Sequence, residues 1–223
     1  MESEHIVSRY DAHFARINSD IQAMGVLVAE QLSKATEALT EFNAETVDHL
    51  IATDRRINAM QQNVYTESER LIALRQPMAL DLRKALSPIN IAAELERIGD
   101  HAKSTAKGAR KLAATSVDAT LLGVLLEMSS LVQVMLLDAL TAFRESDTAL
   151  AADIRARDLE IDQMNKAVFA KAVQAMDADK GLSEPYMRVV LLARGFERVG
   201  DHVVNITRHI HKIVTGEDLK ASS

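Results

Sequence analysis

The chain has 223 residues, a formal net charge of −6 and no cysteine. That excludes a disulfide framework, a thiolate metal site and a cysteine nucleophile, and it argues against a nucleic-acid binder, which would carry a basic patch. Hydrophobic residues make up 48% and charged residues 26%, the balance of a folded soluble protein, and with 8 Gly, 3 Pro and no Trp the composition points to helices with short connections.

Met1-Glu2-Ser3-Glu4-His5 has no basic stretch leading into an apolar one, so no secretion signal is expected and the cytoplasm is the default. Helical periodicity then runs from about His5 to Phe42, with a core stripe of Phe14, Ile17, Ile21, Met24, Val28, Leu32, Ala35 and Leu39. Asn43 reads as the N-cap of a second helix that continues to about Arg75, with Glu45 in its first turn. Pro77 separates it from a third helix ending near Leu112, in which Pro88 predicts a kink. Small and polar residues from Ala113 to Ser116 mark a linker, with Ser116 able to cap the helix that follows.

The second half repeats the plan. One helix spans about Val117 to Glu145, and Asp147 caps the next, which runs to about Asp177. Asp179-Lys180-Gly181 is a turn, Ser183 with Pro185 opens a last helix ending near Thr215-Gly216, and the residues beyond look frayed. Leu121 to Leu140 is strongly apolar but carries Glu127, Gln133 and Asp138, which favours burial in protein over membrane insertion. Its apolar side chains cover more than one helix face, so some should pack between the halves, with a homodimer surface or partner groove as the alternatives.

Glu96-Arg97-Ile98-Gly99-Asp100-His101 returns 101 residues later as Glu197-Arg198-Val199-Gly200-Asp201-His202. At an offset of 104, Asp54, Ile57, Asn58 and Met60 fall on Asp158, Ile161, Asp162 and Met164, and Met24, Val28, Leu32 and Ala35 on Met128, Val132, Leu136 and Ala139. An internal repeat of this length decides architecture first. The chain is expected to be all-α, with two tandem antiparallel three-helix bundles, residues 1–113 and 117–216, related by pseudo-twofold symmetry.

Residues four apart share a helix face, so Glu96 with Asp100, and Glu197 with Asp201, each present two carboxylates, well away from the Ile91, Leu95, Ile98, Ala102 core stripe. Asp158 with Asp162 makes the same step in the second middle helix, and Asp54 with Asn58 in the first. Two neighbouring helices can therefore gather several oxygen ligands. Their mutual repulsion would be offset by a hard or intermediate cation such as Mg²⁺, Ca²⁺, Mn²⁺ or iron. His101 and His202 are at most outer members, and His209 and His211 read as surface residues. Gly99 and Gly200 each sit mid-helix at a cost of about 1 kcal/mol relative to Ala, which suggests a close helix approach.

The duplicated E-R-[IV]-G-D-H, with D-x-x-x-[DN] in each middle helix, resembles the PhoU family of phosphate transport regulators over essentially the whole chain. The resemblance implies multinuclear metal sites (Fe, Zn, Mn or Mg) on the bundle surface, with Glu96, Asp100, Asp54 and Asn58 at one and Glu197, Asp201, Asp158 and Asp162 at the other. Asn58 departs from the pattern, so the first should hold metal more weakly. It further implies a cytoplasmic homodimer without enzymatic activity, not inserted in the membrane, acting between the ATPase subunit of the phosphate ABC transporter and a phosphate sensor histidine kinase. The competing readings are a carboxylate-bridged oxidase, which would want a Glu-x-x-His pair where Gly99 and Gly200 stand, and a purely structural dimerisation module.

Overall fold

The computed structural model describes residues 2–115, 117–179, 181 and 183–217, with side chains from residue 12 onward. Among them are six α-helices and no strand: α1 (Glu2–Glu37), α2 (Ala44–Arg75), α3 (Leu80–Leu112), α4 (Ala119–Glu145), α5 (Thr148–Ala178) and α6 (Ser183–Thr215).

Polar caps set several of these bounds. The Asn43 side chain accepts the Thr46 amide at 2.9 Å, and Asp147 accepts those of Ala149 and Leu150 at 2.9 and 3.0 Å, each satisfying donors that a helix start leaves free. α1 stops at Glu37 rather than running on to Phe42 because the Glu37 carbonyl collects the amides of Thr40 and Glu41 and the Thr40 hydroxyl, closing the chain into a turn. α4 starts at Ala119 rather than Val117, capped by Asp118, whose carboxylate accepts the Thr120 amide at 2.7 Å. The capping role read for Ser116, the Lys180 position of the following turn and the frayed tail from Leu219 all lie outside the described residues; so does Asp218. Ser183 is the first residue of α6 itself and not its N-cap. α3 passes through Pro88 as one helix.

Within each half the three helices pack on one another, and two further seams join the halves: α3 on α6 and α1 on α4. The stripe Ile17, Ile21, Met24, Val28, Leu32 and Ala35 is fully buried, as is its partner Met128, Val132, Leu136 and Ala139. One continuous apolar cluster runs from Ile17 in the first half to Ile210 in the second. The α1–α4 seam is tight. Gln22 donates to the Leu140 carbonyl at 2.9 Å, Thr36 and Ser129 share a buried 2.6 Å hydroxyl contact, and Leu140 lies where a Cβ on Gly25 would be. This seam absorbs part of the surplus apolar face of α4. That helix is long and apolar enough to cross a membrane by composition, yet it packs on α1, α5 and α6, leaving Val134 and Leu137 about half exposed.

Candidate cation sites in two unequal carboxylate clusters

The repeated motifs face the middle helices of their own halves. In the first half, the Ile57 side chain lies 3.0 Å from the place a Cβ on Gly99 would take, so the glycine is what lets α2 approach α3. Asp54 of α2 thereby comes beside Asp100 and Glu96 of α3. Between Asp54 and Asp100 sits an ammonium: Lys103 Nζ donates to Asp54 Oδ2 and to Asp100 Oδ1, both at 2.8 Å. Burial alone would raise Asp100, but the hydrogen bond and charge of Lys103 hold it below the usual carboxylate range, and the same contacts hold Lys103 above the usual lysine range against its own desolvation. Glu96, which Lys103 does not bond, is raised by burial and then by the Asp100 charge. Asn58 is exposed.

The second half has the same scaffold and a different charge balance. Gly200 faces Asp158, whose Oδ1 occupies the space a Cβ would need. Asp158, Asp162, Glu197 and Asp201 converge here, but the counterpart of Lys103 is the buried Val204, so no lysine stands among them. Burial, then the charges of Asp201, Asp162 and Glu197, push Asp158 up to about 6, against a weaker pull from Arg208. Glu197 is raised by burial, with Arg194 opposing and Asp201 and Asp162 adding. Arg194 Nη1 reaches only one of its oxygens, Oε1 at 2.6 Å; the buried Oε2 has no hydrogen-bond partner. A buried carboxylate oxygen without a donor is costly, and a cation is the chemistry that answers it.

The two clusters therefore differ in fit. The second offers an all-oxygen donor set with an orphaned oxygen, which suits a hard divalent ion. In the first, the ammonium of Lys103 already bonds Asp54 and Asp100 and offsets part of their charge, so the need for a further cation is smaller. Among the described residues, no three Asp, Glu or His side chains are disposed as they stand to hold one metal ion, so closure on a cation requires the carboxylates of the second cluster to rotate toward one another. Two of the acids are less superficial than their helical angle implied: Asp54 and Glu197 are each only 8% exposed, under the neighbouring helix that the glycines admit, whereas Asp201 is exposed.

His101 and His202 belong to neither cluster. They meet each other across the α3–α6 seam with ring centroids 5.6 Å apart. His202 Nδ1 pairs with Glu94 Oε2 at 2.7 Å, and Asn205 donates to the same oxygen at 3.3 Å. Desolvation, then the neighbouring His202 and Arg198 charges, lower His101 to about 4. His209 is not a plain surface residue either: it is half-buried, lowered by burial, with Nε2 4.0 Å from Glu94 Oε1. Sequence reasoning passed over Lys103 and Glu94. Setting Lys103 against Val204 in the repeat alignment would have exposed the first; no sequence signal marks the second.

Fold and clusters together define a class: a duplicated all-α bundle protein with one acidic face per repeat. A family model described as "PhoU domain" matches residues 21–109 and again residues 125–210. The chain belongs to the PhoU family. It is 33% identical over 217 residues to a Caulobacter vibrioides protein named phosphate-specific transport system accessory protein PhoU homolog, covering 97% of this chain and 94% of that one. A Rhizobium meliloti protein of the same name is 31% identical, covering 97% and 91%. Among solved structures, PhoU from Pseudomonas aeruginosa superposes with a TM-score of 0.89 at 31% identity, covering 93% of this chain and all of that one. The phosphate transport system regulatory protein PhoU from Streptococcus pneumoniae does so with a TM-score of 0.88 at 28% identity, covering 95% and 100%.

Proposed function

We propose that this chain is an accessory protein of a phosphate transport system that restrains phosphate uptake and keeps the phosphate-starvation response off when phosphate is plentiful. It acts in the cytoplasm as a non-enzymatic helical adaptor, as a dimer, between the transporter ATPase and a sensor histidine kinase. The observation that carries this reading is the match of both repeats to the family, with relatives of that name aligned over 97% of the chain. Deletion of the gene should switch phosphate-starvation reporters on in high phosphate, and the intact gene should switch them off again. Reporters that stay silent in the deletion strain would sink the regulatory reading.

The adaptor carries one divalent cation, at Asp158, Asp162, Glu197 and Asp201. Support comes from the unpartnered Glu197 Oε2 and the raised Asp158. When bound, the ion supplies positive charge that offsets four clustered carboxylates and ties α5 to α6. Glu197 and Asp201 hold their positions through the α6 backbone, while Arg194 orients one Glu197 oxygen and leaves the other free. Elemental analysis of protein purified without chelator should find about one divalent ion per chain, lost in Glu197→Ala with Asp201→Ala and kept in Glu96→Ala with Asp100→Ala. A chain that takes up no Fe, Mn, Zn or Mg counts against the site without touching the regulatory reading.

A further inference from the structure

The α3–α6 seam is built around the contact between His101 and His202, equivalent residues of the two motifs, so each position near it has a counterpart 101 residues away. On one side of the histidines the space is filled by Glu94, Asn205 and His209, with the Glu94 carboxylate taking the bonds. The counterparts on the other side are Gly195, Ser104 and Gly108. Small residues replace the acid, the amide and the imidazole, and a groove of about 280 Å³ opens there, with His101 at one end. A Cβ on Gly195 would meet nothing within 4 Å.

The lining of this groove is cationic in a chain of net charge −6: it includes Lys107, Lys111 and Arg188 and no acid. Lys107 and Lys111 lie four apart on the exposed side of α3 and form no ion pair among the described residues, whereas Arg188 is paired to Glu184. Leu191, 63% exposed, supplies an apolar wall. The filled side shows what the open side lacks, a carboxylate-sized anion facing the central histidine. Uncompensated ammonium groups and an apolar wall favour a multiply charged anion attached to an organic body, and the volume, at the lower end for ligand pockets, limits that body to about the size of a mononucleotide.

We propose that the groove between α3 and α6 binds a small organic phosphate, its anionic group taking the place beside His101 that Glu94 takes beside His202, with Lys107 and Lys111 as its counter-ions and Leu191 against its apolar portion. Isothermal titration of the full chain, with EDTA present to silence the carboxylate clusters, tests this with ADP, inorganic phosphate and succinate. ADP should bind saturably at one site per chain, more weakly as salt rises, and at least tenfold more tightly than inorganic phosphate or succinate. Lys107→Ala with Lys111→Ala should weaken ADP at least tenfold. Gly195→Glu places a carboxylate in the groove from within and should abolish ADP binding while far-UV circular dichroism and the melting temperature are kept. Gly195→Ala, which leaves the groove open, should still bind. No saturable ADP binding, or binding that survives both the lysine pair and Gly195→Glu, overturns the site. Inorganic phosphate or succinate binding as tightly as ADP overturns the organic phosphate as its ligand.

Discussion

Lys103 and Val204 occupy equivalent positions, and that one difference decides whether a carboxylate cluster is self-sufficient. Lys103→Met removes the ammonium that bonds Asp54 and Asp100. With Asp54 nearly buried, the loss should cost about 1–3 kcal/mol in denaturant unfolding, and added Mg²⁺ or Mn²⁺ should recover part of it, where the parent's first cluster responds to neither. The reciprocal change, Val204→Lys, supplies the second cluster with an internal cation three residues after Asp201. It should reduce the metal content of the purified chain and make the melting temperature less sensitive to chelator. If Val204→Lys binds metal as the parent does, the two clusters are not alternative solutions to one charge problem. The sequence placed the weak point of the first cluster at Asn58, which is exposed; Lys103, which bonds both Asp54 and Asp100, becomes visible only when the Asp100 turn is seen to face Asp54.

At the level of helices, most of the layout was legible. The 3.6-residue periodicity marks the buried stripe of α1 from Ile17 to Ala35 and its counterpart in α4, though Phe14 is only partly buried and Leu39 lies beyond the helix, and Asn43 and Asp147 cap where polar side chains before apolar runs should. What failed was local. Glu37 ends α1 through hydrogen bonds from Thr40 and Glu41, and no spacing rule separates that turn from one more helical turn. Seams between helices were less readable still, since periodicity says which face is buried and not against what. Gly25 is the case in point: it looks like a liability in the middle of α1, and it is where Leu140 of α4 seats. Gly25→Val should therefore wedge α1 from α4 and lower stability by about 1–3 kcal/mol, measurable as a lower urea midpoint. An unchanged midpoint would mean that the seam is slack.

For the molecule as a whole, the two groups moved furthest contribute opposing pH dependences. Asp158, raised to about 6 from an ordinary value near 3.8, contributes stability that is present at low pH and lost as pH rises through about 6. His101, lowered from 6.5 to about 4, contributes stability that is present at neutral pH and lost as pH falls from 6.5 toward 4. In metal-free protein these slopes offset each other between pH 4 and 6. Asp158→Asn should leave a stability that climbs with pH across that window, and His101→Gln one that falls; parallel melting curves for the two variants would contradict the assignment. The core running through both halves explains why fold class was readable from the repeat while the joints were not: duplication fixes what each half is, and three-dimensional contacts, the α1–α4 seam and the meeting of His101 with His202 among them, fix where they meet. That contact sets a residue against its own copy, as subunits do across a twofold axis. The chain is thus a heterodimer of its own repeats, tethered through residues 113–118, in which each half serves as the other's subunit. Cut at that tether and co-expressed, the two pieces should find each other and co-purify on a tag carried by one, whereas either piece alone, with its seam helices uncovered, should associate with itself or fail to stay soluble. Freed from strict symmetry by the tether, one copy could keep its lysine, and the other its need for a cation.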